Sequence, residues 1–67
     1  MNFKIGQRIE MIQMGNDPNP IPTGTKGTIT GFGPTPVKGE TQVNVKWDNG
    51  RSLSILYPED KFKIIEN

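Results

Sequence analysis

The clearest pattern in the chain is an alternation of apolar and polar residues from Val43 to Trp47. Alternation with a period of two is typical of a β-strand that buries one face in a core. Asp48-Asn49-Gly50 follows at once, and an Asn-Gly pair is a favoured hairpin tip because both residues accept left-handed backbone angles. The pattern therefore predicts a tight hairpin, with a returning strand at Arg51–Leu56.

Three further strands are predicted by shorter segments rich in Ile, Val, Thr and aromatic residues, at Gln7–Met14, Gly27–Phe32 and Phe62–Ile65. A single 3₁₀ turn is predicted at Tyr57–Asp60, because proline suits the first position of a helix and acidic residues suit its N-terminus. Eight glycines and six prolines interrupt the chain, and no window of a dozen residues has a helical period. The sequence predicts an all-β protein.

The order of these elements predicts one domain over residues 1–67, a small five-stranded SH3-like barrel. The long segment Gly15–Thr25, which contains three prolines, corresponds to the diverging loop after the first strand of such barrels. A second loop is predicted at Gly33–Thr41. The OB-fold is the nearest alternative, but it usually has a helix between its third and fourth strands, and Asp48–Arg51 leaves no space for one.

Two runs of residues carry a resemblance to a known family. Pro22–Ile29 has the form PxGTxGT followed by an aliphatic residue, and Val45–Gly50 has the form VxWDNG, with a closing Asp60-Lys61-Phe62. This outline resembles a family of short uncharacterised SH3-like domains found in bacteriophages, mobile elements and Gram-positive bacteria. The resemblance implies a phage or prophage accessory protein that binds or inhibits a host component. Its motifs are turn and core residues, so they transfer no functional residue.

Composition narrows the possible chemistry. The chain has 67 residues, a net charge of +1 and no cysteine or histidine. It therefore has no disulfide, no thiolate metal ligand and no histidine to activate a serine nucleophile. We expect a non-enzymatic protein without a metal or other cofactor. Because a core this small is often completed by a second copy, a homo-oligomer is a further hypothesis.

The sequence also bears on location. Residues Met1–Gln7 contain no apolar run followed by a cleavage site, and the longest apolar stretch is far shorter than a membrane span. We expect a cytoplasmic protein with no membrane partner, in the host cytoplasm if a phage encodes it.

Candidate binding residues come from the aromatic side chains and the hairpin. Trp47 alternates with buried-type valines, which favours a core position over a rim position in contact with a partner. Tyr57 and Phe32 lie near strand ends, where a ring is either a lid on the core or a binding surface. Arg51 follows the hairpin tip, where its guanidinium could stack on a ring or pair with Asp48.

The two loops complete the predicted site. Prolines and glycines restrict the first loop, which lowers the entropic cost of one binding shape, although the loop could simply cross the open end of the barrel. The full predicted set is Trp47, Tyr57, Phe32, Arg51, Asn19, Ile21 and Lys38.

A host protein is the preferred partner, because a balanced surface with a few exposed aromatic residues suits protein contact. Two alternatives stay open. Basic residues could line one face and bind nucleic acid, although seven interspersed acidic residues favour a solvated surface. These basic residues are Lys26, Lys38, Lys46, Arg51, Lys61 and Lys63. Alternatively, an oligomer could hold a nucleotide-like small molecule between its subunits.

Overall fold

The fold is all-β, as predicted. A computed structural model describes residues 3–15, 18–35 and 39–66, and these residues form five strands and no helix. The strands are β1 (Arg8–Gln13), β2 (Lys26–Pro34), β3 (Thr41–Trp47), β4 (Ile55–Tyr57) and β5 (Lys61–Glu66). They form one antiparallel sheet in the order β4-β3-β2-β1-β5. No helix within the described ranges has the length and hydropathy needed to cross a membrane.

Alternate side chains of the strands build the core. In β3 the side chains of Val43, Val45 and Trp47 are buried, which confirms the alternation predicted for this strand. In β1 the buried residues are Ile9 and Met11, which follow the same period of two. The buried apolar residues of the described chain are Ile9, Met11, Ile21, Ile29, Val43, Val45, Trp47 and Ile55.

The sheet curves until its two edge strands approach each other. β4 and β5 are at opposite ends of the strand order, yet only residues 58–60 connect them. Such a link spans at most about 14 Å, whereas the edges of a flat five-stranded sheet would lie about 19 Å apart. The described residues nevertheless contain no backbone ladder between β4 and β5, so the sheet is rolled without closing into a barrel.

Irregular pairing contributes to this curvature. The β2·β3 register shifts between Ile29 and Gly31, and the β1·β5 register shifts on either side of the segment from Ile9 to Met11. Such bulges bend a strand and increase its twist. The residues that the β1·β5 shifts leave unpaired, Ile12 and Ile65, are both exposed.

Two predictions of local structure are wrong. β4 begins at Ile55 rather than at Arg51, because the chain leaves the ladder soon after the hairpin tip. The Trp47 N–H still donates to the Arg51 carbonyl at 3.2 Å, but the Leu53 carbonyl accepts from the Trp47 indole N–H at 2.8 Å. The predicted 3₁₀ turn is instead a non-helical turn that contains a cis peptide bond between Tyr57 and Pro58.

Candidate functional site

Arg51 holds the first loop against the hairpin. Its guanidinium donates from Nη2 to the Asn19 carbonyl at 2.6 Å and from Nη1 to the Pro20 carbonyl at 3.1 Å. The backbone N–H of Arg51 donates to the Asn49 side-chain oxygen at 3.0 Å, which helps to position the Arg51 backbone. Two of the predicted site residues, Arg51 and Asn19, are therefore in direct contact at the surface.

Two other predicted site residues belong to the core. Ile21 is 2% exposed, and its backbone N–H lies 3.5 Å from the sulfur of Met14. Trp47 is also 2% exposed, and its one polar group is bonded to the Leu53 carbonyl. Their burial means that neither side chain is accessible to a partner in this structure.

Asp48 pairs with Arg8 rather than with Arg51, which corrects one option considered for Arg51. The Arg8 guanidinium is bidentate to the Asp48 carboxylate, at 2.9 and 2.5 Å, and also donates to the Thr28 hydroxyl at 3.0 Å. The hydrogen bond from Arg8 lowers the pKa of Asp48 below its usual value, and the positive charge of Lys26 adds to the effect. The 40-residue separation of Arg8 and Asp48 explains why sequence patterns missed this pair.

Three aromatic rings meet where the two sheet edges approach. The Phe3 ring lies 4.8 Å from Tyr57 and 4.9 Å from Phe62, and the Tyr57 and Phe62 centroids are 6.1 Å apart. All three rings are half-buried and pack against the core. We call Phe3, Tyr57 and Phe62 the aromatic cluster. Of these three rings, only Tyr57 belongs to the predicted site; the closing Asp60-Lys61-Phe62 run is the sequence signal for Phe62.

The remaining predicted residues lie elsewhere. Phe32 is 36% exposed, and the β2·β3 register places it opposite Val43. Within the described ranges, no ring contact joins Phe32 to the aromatic cluster. Lys38 lies outside the described residues.

The β4 edge of the sheet is capped by Asp60. The Asp60 carboxylate accepts from the Leu56 N–H at 3.0 Å, and the Asp60 N–H donates to the Leu56 carbonyl at 2.8 Å. The same carboxylate accepts from the Gly15 N–H at 2.6 Å, and Asp60 is only 6% exposed. Both backbone groups of Leu56 at this edge are therefore occupied.

The β5 edge is open within the part of the chain that the structure describes. Met11 directs its N–H to Thr25 and its carbonyl to Gly24, both at 2.8 Å, so its backbone groups point away from β5. Because antiparallel partners alternate between bonded and non-bonded pairs, Phe62 opposite Met11 and Ile64 opposite Ile9 direct their backbone groups outward. No backbone partner for these outward groups is present among the described residues.

The outer face of the sheet carries an excess of positive charge. The strand registers place five basic side chains on the face opposite the core, at Arg8, Lys26, Lys46, Lys61 and Lys63. Among the side chains that the structure describes, two carboxylates oppose them, because Asp48 binds Arg8 and Glu10 lies 3.9 Å from the Lys63 ammonium. The described part of the chain has no group of three metal-ligating side chains.

Comparison with known proteins gave one match. A search of curated proteins and a search of solved structures found no similar protein. The profile of one family, described as a domain of unknown function (DUF4314), matches residues 1–65. This match spans nearly the whole chain, so the protein belongs to the DUF4314 family.

Proposed function

We propose that the protein is a non-enzymatic binding module that docks a protein partner along the open β5 edge and the adjoining aromatic cluster. The observation that carries this proposal is the coincidence of the two features on one strand. Phe62 has outward-directed backbone groups, and its half-buried ring contacts Phe3. A partner at this edge can therefore gain main-chain hydrogen bonds and apolar contact together.

A protein suits these features better than a small polar ligand. An unpaired strand edge is a template for an extended polypeptide, and aromatic side chains are enriched at protein interfaces. The contrast with β4 supports the choice, because Asp60 occupies the backbone groups of Leu56 there. The β4 edge is therefore protected by Asp60, whereas the described residues leave the outward backbone groups of β5 available for pairing.

The proposal reassigns the predicted site residues. Tyr57 belongs to the docking surface through its ring contacts with Phe3 and Phe62. Arg51 holds residues 19 and 20 of the first loop against the hairpin and is not assigned to the docking surface. Trp47 and Ile21 support the surface from the core, where both are buried.

The wider setting is part of the same proposal. The strand order, the long first loop and the tight hairpin support an SH3-like fold with an incompletely closed sheet. The family resemblance seen in the sequence supports a phage or prophage accessory protein that binds or inhibits a host protein in the host cytoplasm.

Affinity capture with matched variants tests the proposal. We expect the wild-type chain to retain a specific protein from a host lysate, Tyr57→Ala to lose it, and Phe32→Ala to keep it. Phe32 is the control because it is an exposed aromatic residue without a ring contact to the aromatic cluster. Circular dichroism checks that each variant is folded. Equal capture by a folded Tyr57→Ala variant, or no capture by the wild type, would overturn the proposal.

Nucleic acid is a second candidate partner, favoured by the basic outer face of the sheet. Lys26 and Lys46 are exposed on that face and have no carboxylate within ion-pair distance among the described residues. Retention on heparin at about 150 mM salt, lost in the Lys26→Glu/Lys46→Glu variant, would support this candidate. Elution of the wild type in the flow-through would exclude it.

The third hypothesis, an oligomer that holds a nucleotide-like molecule, stays a prediction. Native mass spectrometry of the purified protein tests it. A multimer with a bound small molecule would support this hypothesis, whereas a monomer of the calculated mass would contradict it.

A further inference from the structure

We propose that the docked segment of the partner is an extended strand in which acidic and apolar residues alternate, and that it pairs with β5. Its acidic side chains would lie beside Lys61 and Lys63, and its apolar side chains beside Phe62 and Ile64. This inference rests on the proposed protein-binding function and specifies the chemistry of the partner.

The alternation of β5 sets the chemistry of each face. Phe62 and Ile64 lie on the core side and are only half-buried, and no strand formed by the described residues lies beyond β5. Lys61 and Lys63 lie on the opposite face and are exposed. Side chains directly opposite each other in an antiparallel pair share a face, so an added strand would meet apolar and basic positions in turn.

The positive charge of this edge is only partly compensated. The Lys63 ammonium lies 3.9 Å from Glu10, but the lysine side chain is 56% exposed. The Lys61 ammonium contacts the Pro58 carbonyl at 3.3 Å, which is a neutral acceptor. Acidic residues at alternate positions of an added strand would complement both lysines, and opposite charges stabilise cross-strand pairs.

A second copy of this chain suits the edge less well than an acidic strand. Antiparallel self-pairing about Lys63 would place the two Lys63 side chains opposite each other. Self-pairing about Phe62 would place Lys61 of each copy opposite Lys63 of the other. Like charges in direct cross-strand pairs are destabilising, and lysines on edge strands commonly prevent such association. The lysines thus disfavour these two registers of self-pairing while they favour an acidic partner.

Continuation of the sheet from β5 of one copy to β4 of the next is also disfavoured. That arrangement needs both backbone groups of Leu56, which already bond to Asp60 at 3.0 and 2.8 Å. The acidic strand is the occupant that the edge fits best.

Three synthetic peptides of equal length test the proposal with the full chain. The first alternates Glu and Val, and the second alternates Lys and Val. The third is the Glu-Val peptide with N-methyl groups on the main-chain amides that would face β5. We expect the Glu-Val peptide to shift the amide signals of Phe62 and Ile64 in NMR spectra. We expect the other two peptides to bind at least tenfold more weakly.

A charge swap provides the matched control. The Lys61→Glu/Lys63→Glu variant should lose the Glu-Val peptide and gain the Lys-Val peptide, whereas Lys46→Glu on β3 should leave the preference for the Glu-Val peptide unchanged. Amide dispersion checks that each variant is folded. An unchanged preference in the folded double variant would overturn the proposal.

Two further outcomes separate this inference from the proposed function. Peptide binding that shifts Phe3 and Tyr57 but leaves the Phe62 and Ile64 amides unmoved would overturn strand addition, while protein binding would stand. Concentration-dependent shifts of these amides without peptide would show self-pairing and would also overturn the acidic strand. Failure of lysate capture by the wild type, in contrast, would overturn the proposed function itself.

Discussion

Gly27 packs directly against the side chain of Trp47. A Cβ atom at Gly27 would lie 2.9 Å from Trp47 Cε3, 2.7 Å from Val45 Cγ1 and 2.9 Å from the Lys46 carbonyl oxygen. Real Cβ atoms essentially never come that close to a neighbour. The absence of a side chain at this position of β2 therefore allows β3 to bring its largest core residue into place.

We expect Gly27→Ala to destabilise the protein by about 2–3 kcal/mol, because the added methyl group overpacks the core and one obstacle is backbone. Gly33→Ala is the matched control on the same strand, since a Cβ there meets nothing within 4 Å. It should change stability by less than about 0.5 kcal/mol. Urea unfolding followed by Trp47 fluorescence measures both changes, and equal effects would contradict the packing described for Gly27.

Asp60 should be the most sensitive polar residue of the fold. Asp60→Ala removes the acceptor of the Leu56 and Gly15 N–H groups. Leaving two such donors without their acceptor should cost about 2–4 kcal/mol. The exposed neighbour Glu59 supplies the control, because Glu59→Gln should be nearly neutral. Thermal unfolding that ranks the two variants equally would show that the cap contributes little.

Arg51 should control the order of the first loop more than global stability. Arg51→Lys keeps the charge but cannot reproduce two guanidinium bonds to the Asn19 and Pro20 carbonyls. We expect a several-fold faster proteolytic cut between residues 18 and 25, with an unfolding midpoint close to that of the wild type. Arg8→Lys, at the other surface guanidinium, should not accelerate this cut. An unchanged rate in Arg51→Lys would contradict the described role.

The Arg8 to Asp48 pair should make stability depend on pH in the acidic range. Arg8 lowers the pKa of Asp48 in the folded state, so the pair stabilises the fold when Asp48 is ionised. This contribution is complete above the unfolded pKa and is lost as the pH falls below about 4. The stability difference between wild type and Asp48→Asn should therefore shrink from pH 7 to pH 2. A constant difference would argue against the pair.

Sequence patterns predicted the elements that are governed by neighbouring residues. The alternation of Val43, Val45 and Trp47 predicts their burial in β3, and the Asn-Gly pair predicts the turn that follows. The same reasoning extended β4 too far toward its N-terminus. Ser52-Leu53-Ser54 alternates like a strand. However, the Ser54 hydroxyl donates to the Asn44 side chain at 2.9 Å, and the Leu53 carbonyl accepts from the Trp47 indole N–H.

The residues of the candidate site depend on contacts that no local pattern shows. The local pattern predicts a helical turn at Asp60, whereas its carboxylate accepts from the N–H of Gly15, 45 residues away. The position of Ile21 in the long first loop predicts a binding residue, yet its side chain is buried in the core. The open β5 edge depends on the strand order and on which residues of β5 direct their backbone groups away from β1. Both are known only from the assembled sheet.

The most direct test of the open edge is amide hydrogen exchange of the free protein, measured residue by residue along β5. The Lys63 N–H should exchange slowly, because Lys63 and Glu10 of β1 form a hydrogen-bonded pair in the alternating antiparallel pattern. The N–H groups of Phe62 and Ile64 point outward and should exchange much faster. Slow exchange at all three residues would show that the edge is already paired and would contradict the account.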